Sequence, residues 1–193
     1  MDSIPPMPSR RLLLSYAAAS IIMLGFSLHT AHAQPAKVIT WDDLMDVKWV
    51  KEIQAEMLAL GRLGFLKDGS PQADRAMNKL REKWDAAPVV ETYAGQRIKI
   101  AGYVVPLEAT RDAEREFLLV PYFGACIHTP PPPANQIILV SPVPGSAISK
   151  VPESMSTVWV EGTLQITRTT TSQGVTGYQV RADRVSAYQE KPR

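Results

Sequence analysis

Residues 98–104 read IKIAGYV and residues 158–164 read VWVEGTL. Both obey one pattern, apolar-x-apolar-x-Gly-x-apolar. Period-two alternation sets one face of each segment on a core and the other outward. A glycine inside a strand marks a bend or bulge, the feature that lets a small sheet curl on itself. Working outward, short apolar or alternating runs bounded by turn residues predict strands near 97–107, 116–121, 136–141, 157–167, 176–182 and 184–188. Residues 167–177 are rich in Thr, Ser and Gly and read as a hairpin connection, and a break is expected at Asp183-Arg184. Five or six short strands with bent centres predict a mainly β (α+β) chain built on a small OB-like β-barrel. An immunoglobulin-like β-sandwich is the alternative, weakened by the low strand count.

Two helices are expected ahead of the barrel. Residues 34–39 read as a linker, after which Thr40 caps a helix with Asp42 and Asp43 in its first turn. Val50, Ile53, Met57 and Leu60 repeat at helical spacing, and Gly61 and Gly64 end the element. Ser70 caps a second helix with Pro71 at its first position, and Ala73, Met77, Leu80 and Trp84 form one face until Pro88 stops it. Trp41, Trp49 and Trp84 read as core anchors of this lead-in. The division is therefore residues 1–33, a signal peptide; 34–88, a helical lead-in; and 89–193, the barrel domain.

The first segment has Arg10 and Arg11 ahead of an apolar core at 12–28, with Ala31-His32-Ala33 as a small-x-small cleavage site. This predicts export to the periplasm, by the Sec route as default or by a twin-arginine route. An uncleaved membrane anchor is the competing reading. No cysteine follows the apolar run, which excludes a lipoprotein. Cleavage removes His29 and His32, so Cys126 and His128 become the sole thiol and sole imidazole of the chain. One cysteine allows no intrachain disulfide, although the expected compartment is oxidising.

Both residues fall in one loop. Residues 117–140 read FLLVPYFGACIHTPPPPANQIILV, two apolar runs around a long connection without a period of its own. Such a connection inside a compact domain is usually functional when ordered. Cys126 and His128 are two apart and leave an extended backbone on the same side. That spacing suits two ligands for zinc or copper, or a thiolate assisted by an imidazole. Two ligands do not complete a zinc site. Carboxylates such as Glu108, Asp112 or Glu116 would have to join, or a second copy in a homodimer. The third reading is a packed structural thiol, with Phe123, Ala125 and Ile127 as its neighbours. Pro130, Pro131, Pro132 and Pro133 predict a stiff polyproline II turn without backbone donors. Asn135 and Gln136 are expected to bond that stretch or restart the strand. Tyr122, Phe123, the four prolines, Asn135 and Gln136 are the candidate binding positions of the loop.

Enzyme signatures such as GxSxG, HExxH, CxxC and a phosphate loop are missing from the sequence. A net charge of +2 and strands without a basic stripe interleaved with aromatics exclude nucleic acid as the expected partner.

Residues 102–107 (GYVVPL), residues 117–128 and the proline run ending in Asn135-Gln136 resemble a bacterial exported family of unknown function, and Trp41-Asp42-Asp43-Leu44 resembles that family's opening. The resemblance implies an envelope protein, and an accessory role beside an ABC-type membrane system. Cys126, His128, Pro130, Pro131, Pro132, Pro133, Asn135 and Gln136 are the positions it carries over. It implies no catalytic residues. The expected function is thus a periplasmic binding protein acting through the Cys126–His128 loop. The alternatives are a thiol-dependent enzyme or redox protein, and a purely structural interaction module.

Overall fold

The glycine-centred segments become the two sides of a seam. In the computed structural model, which describes residues 35–61, 70–107, 115–125 and 132–189, the strands are β1 (Lys37–Val38), β2 (Arg97–Pro106), β3 (Phe117–Val120), β4 (Ile138–Pro142), β5 (Thr157–Thr171) and β6 (Gly174–Ala187). They form one mixed sheet in the order β1-β2-β3-β4-β6-β5, and β2 also pairs with β5. The sheet therefore curls back into a partial ring. One sheet is not the pair of facing sheets that an immunoglobulin-like sandwich requires. The expected signal segment lies outside the described residues, and Gln34–Arg193 is a compact unit of its own.

Closure depends on β2 serving two partners. Residues Arg97 to Tyr103 pair antiparallel with β5, and Tyr103 to Pro106 pair antiparallel with β3. Gly102 stands at the hand-over. A Cβ there would lie 2.7 Å from Leu119 Cγ and 3.0 Å from Trp41 Cζ2, so only a glycine lets both partners approach. Gly162 is tighter still, because a Cβ there would lie 2.2 Å from the Arg181 carbonyl oxygen. The β5–β6 register also shifts at this point: Gly162 faces Ala182 while Glu161 faces Arg184, leaving Asp183 as the extra residue of a bulge.

That bulge corrects one expectation. The break at Asp183-Arg184 is a bulge within a single strand, so the two predicted final strands are one. The hairpin connection is shorter than residues 167–177, since β5 runs to Thr171 and β6 resumes at Gly174. Thr and Ser mark turns by composition, but here Thr169, Thr170 and Thr171 keep pairing across to β6. Thr171 Oγ1 donates to the Gly174 carbonyl and accepts from the Gln173 N–H, fixing the turn.

The inner face buries Ile98, Ile100, Val104, Phe117, Leu119, Ile138, Val140, Val158, Val160, Leu164, Tyr178 and Val180 in one cluster. These are the period-two positions read from the sequence. The N-terminal segment is not a linker: β1 adds to β2 in parallel, and Ile39 is buried in the same core. Thr40 is not a helix cap: the short 3-10 turn Asp42–Leu44 has Trp41 at its N-cap without a side-chain bond, and the Thr40 N–H and hydroxyl both donate to the Asp43 carboxylate. Those bonds, the N–H first, hold the Asp43 carboxyl below its ordinary range. Helix α1 (Val47–Gly61) starts later than expected, with the Asp46 carboxylate accepting from the Trp49 N–H at 2.7 Å. Helix α2 (Pro71–Asp85) is capped by Ser70 as read. Its predicted face is only partly covered: Leu80 is buried, Trp84 is half-buried and Met77 is exposed. Among the described residues no helix is long and apolar enough to cross a membrane.

The outward side chains of β2, β5 and β6 form a charge network. Glu161 accepts from Lys99 Nζ at 2.9 Å and lies 3.8 Å from Arg97, whose guanidinium also pairs with Asp183. The Lys99 hydrogen bond is the main cause holding Glu161 below the ordinary glutamate range, against a smaller desolvation effect. A depressed carboxyl contributes stability above its unfolded-state pKa and loses it as pH falls through the folded value. Thermal melts across acid pH should therefore show wild type losing melting temperature more steeply than Glu161→Gln, with the two curves converging at the acid end.

Candidate functional site

Strand β3 is buried on both faces, which a half-exposed strand of a small ring would not be. Phe117 and Leu119 belong to the inner core. Leu118 and Val120 point the other way and build a second cluster with Val105 of β2, Leu139 of β4, Ala125 and Ile137. Tyr103, Leu107 and Met155 pack around it, half-buried. Ala125 and Ile137 come from the two ends of the 121–137 loop, and both are fully buried. The two described ends of the loop thus pack on the outer face of β2, β3 and β4.

Cys126, His128, Pro130 and Pro131 lie outside the described residues. What is described is how the loop is held on either side of them. On the entering side the chain turns at Gly124, whose φ of 79° suits a residue without a Cβ. This turn leaves Tyr122 47% exposed and Phe123 70% exposed. Phe123 meets Tyr103 edge to face, with ring centroids 6.0 Å apart and an interplanar angle of 81°. Phe123, one of the neighbours expected for a packed thiol, is thus an exposed ring. On the leaving side Pro132 is buried and Pro133 half-buried, and Ala134–Gln136 forms a single 3-10 turn.

The Gln136 backbone N–H donates to the Pro133 carbonyl at 2.7 Å, as expected of the pair, but the two side-chain amides reach much further. Asn135 Nδ2 donates to the Pro88 carbonyl at 3.0 Å, and Gln136 Nε2 donates to the Trp41 carbonyl at 3.1 Å. Both side chains are buried. Each amide thereby binds a chain-distant carbonyl, one from the segment after α2 and one from the N-terminal turn, where the Trp41 carbonyl also accepts from the Leu44 N–H at 3.1 Å. Trp41 in turn donates its indole N–H to the Ala101 carbonyl at 2.8 Å, beside the Gly102 bend. Nearby, the buried Tyr178 hydroxyl accepts from the Val90 N–H at 2.5 Å and donates to the Leu44 carbonyl at 3.0 Å. Burial raises the Tyr178 pKa, with the Val90 bond opposing. Gly177 makes the approach possible, since a Cβ there would lie 2.7 Å from the Ala134 carbonyl oxygen. Sequence reading missed these anchors because they join residues between 47 and 134 positions apart.

Of the carboxylates considered as further ligands, Glu116 is engaged otherwise: it accepts from the Ser141 hydroxyl at 2.5 Å, and Ser141 accepts from Gln179 at 2.8 Å. Glu108 and Asp112 lie outside the described residues. Among the described residues no three His, Cys, Asp or Glu side chains come together as a metal cluster.

A family model described as a protein of unknown function (DUF3299) matches residues 41–187. The chain belongs to the DUF3299 family. The match begins at Trp41, the residue that Gln136 holds, and runs through both helices, the loop and every strand from β2 to β6. The crystal structure of a DUF3299 family protein from Pseudomonas aeruginosa PAO1 is similar, at 29% identity and a TM-score of 0.56. That match covers 81% of this chain and 99% of the other. No curated protein matches the chain.

The geometry separates residues that hold the DUF3299 loop from residues that it presents. Tyr178→Phe leaves the Val90 N–H and the Leu44 carbonyl without their partner and should cost about 1–3 kcal/mol. Phe123→Ala removes an exposed ring and should cost about 0.5 kcal/mol or less. Urea unfolding of the two variants beside wild type checks both values.

Proposed function

We propose that this chain is a periplasmic binding protein, exported through residues 1–33, that docks on a membrane-protein partner of an envelope ABC-type transport system. The docking element is the 121–137 loop. The observation that carries the reading is the contrast within that loop: Ala125, Asn135, Gln136 and Ile137 are buried and bonded, whereas Phe123 is 70% exposed. A rigid aromatic held out from a fixed base is the form of an interface anchor, because its ordering cost is met before binding. The strand order, closed by the β2–β5 pairing and with β4 and β6 parallel, supports reading the sheet as an OB-type barrel that serves as this base.

In sequence Cys126 and His128 fall between Phe123 and Pro132. In this reading they bind zinc or copper, completed by a further carboxylate or by a second copy, and the ion fixes the middle of the loop.

A photo-crosslinking residue placed at Phe123 in living cells should yield an adduct with a membrane transport protein, while the same residue at Ser172, on the distant hairpin turn, should not. No adduct at Phe123, or identical adducts at both positions, would sink the docking role. Elemental analysis of the purified protein should find about one zinc or copper per chain, or half in a homodimer, lost in Cys126→Ser. A metal-free protein after reconstitution under reducing conditions removes the metal and leaves the docking test standing.

A further inference from the structure

Helix α1 turns Trp49, Glu52, Ile53 and Glu56 to one side, because residues three and four apart are neighbours on a helix surface. Lys83 near the end of α2, with Ala86 and Pro88 beyond it, completes the lining of a cleft of about 260 Å³. Trp49 reads in the sequence as a core anchor, but here it is half-buried and faces this space. Both sides of the cleft are held from elsewhere. The Asp46 carboxylate accepts from the Trp49 N–H at the start of α1. Opposite, Arg168 donates to the Asp85 and Ala87 carbonyls, and Asn135 donates to the Pro88 carbonyl. Pockets for drug-sized ligands span roughly 300–1,000 Å³, so this one suits a smaller occupant.

The lining combines apolar surface with one unbalanced charge. Ile53 is buried, and it shares the cleft with the Trp49 ring, Ala86 and Pro88. Lys83 is paired with Glu56. Glu52 is exposed and has no hydrogen-bond or ion-pair partner among the described residues. Acceptors are otherwise scarce, since the Trp84 carbonyl accepts from the Ala87 N–H and those of Asp85, Ala87 and Pro88 hold Arg168 and Asn135.

We infer that this cleft binds a small quaternary ammonium compound, with its methylated nitrogen on the Trp49 ring beside Glu52 and its carbon chain on Ile53 and Pro88. The lining selects this class. An anion would meet Glu52 and Glu56, with the one cation already paired. A neutral apolar molecule would leave the Glu52 charge without a counter-ion. A primary ammonium brings three N–H donors to a cleft whose open acceptor is Glu52 alone. A trimethylammonium group carries positive charge without a donor to satisfy, and an indole face is the strongest aromatic partner for such a cation. None of these residues belongs to the 121–137 loop, so the site stands apart from the proposed docking role.

Amide NMR titration of the purified protein with choline chloride tests the assignment, with sodium chloride at matched ionic strength as reference. Choline should shift the Trp49 indole resonance and the backbone amides of residues 49–56 and 83–87. The uncharged isostere dimethylbutanol should bind about fivefold more weakly or less, and Glu52→Gln, at an exposed position, should weaken choline binding by about fivefold. Phe123→Ala should bind choline as wild type does. No choline-specific shift of these amides, equal affinity for dimethylbutanol, or undiminished affinity in Glu52→Gln would each overturn the inference.

Discussion

Strand β2 changes partner at Tyr103, and the rest of the molecule is arranged around that change. Up to Tyr103 it pairs with β5; from Tyr103 onward it pairs with β3. A strand can bend this sharply only where nothing stands on its inner face, and Gly102 supplies the gap against Leu119 and Trp41. The bend leaves the Ala101 carbonyl without a ladder partner on one side, and the Trp41 indole fills that role. The hand-over also divides the outer face of β2. Beyond it, Val105 joins an apolar patch that needs a cover. Before it, Lys99 and Arg97 join a solvated array of ion pairs.

The cover over the apolar half comes from the described ends of the 121–137 loop, Ala125 and Ile137, and their anchorage explains why the N-terminal segment belongs to the fold. Gln136 holds the Trp41 carbonyl, Asn135 holds the Pro88 carbonyl, and Tyr178 bridges Val90 and Leu44. Arg168 adds bonds to the Asp85 and Ala87 carbonyls at the end of α2. Carbonyls of non-repetitive chain are costly to bury without a partner. Here side chains of the strands and of the 3-10 turn supply those partners. The loop is accordingly rigid at both described ends, and Tyr122 and Phe123 are exposed from a fixed position.

Much of this was legible in the sequence. Period-two alternation located β2, β3, β4 and the start of β5 to within two residues, because one-sided burial imposes that period directly. Ser70-Pro71 gave the start of α2, since capping and a missing N–H are local chemistry. The Gly102 and Gly162 bends were visible for the same reason. What failed depended on partners far along the chain. Thr169 to Thr171 continue a strand only because β6 lies opposite, and Asp183 is a bulge rather than a break because β5 keeps its register around it. Asn135 and Gln136 were given local roles, which the Gln136 N–H fills at Pro133, while their side-chain amides reach partners 47 and 95 positions away. The charge network of Arg97, Lys99, Glu161 and Asp183 was invisible along any one strand, because it runs across three.

The central claim is that Gln136 ties the loop to the N-terminal segment, so that the two behave as one unit. Native-state hydrogen exchange on wild type and Gln136→Leu measures this directly. The account predicts that the substitution lowers amide protection in residues 41–45 and in residues 132–139 together and by similar factors, while β5 and β6 keep theirs. Loss of protection confined to the loop, with residues 41–45 unchanged, would contradict it.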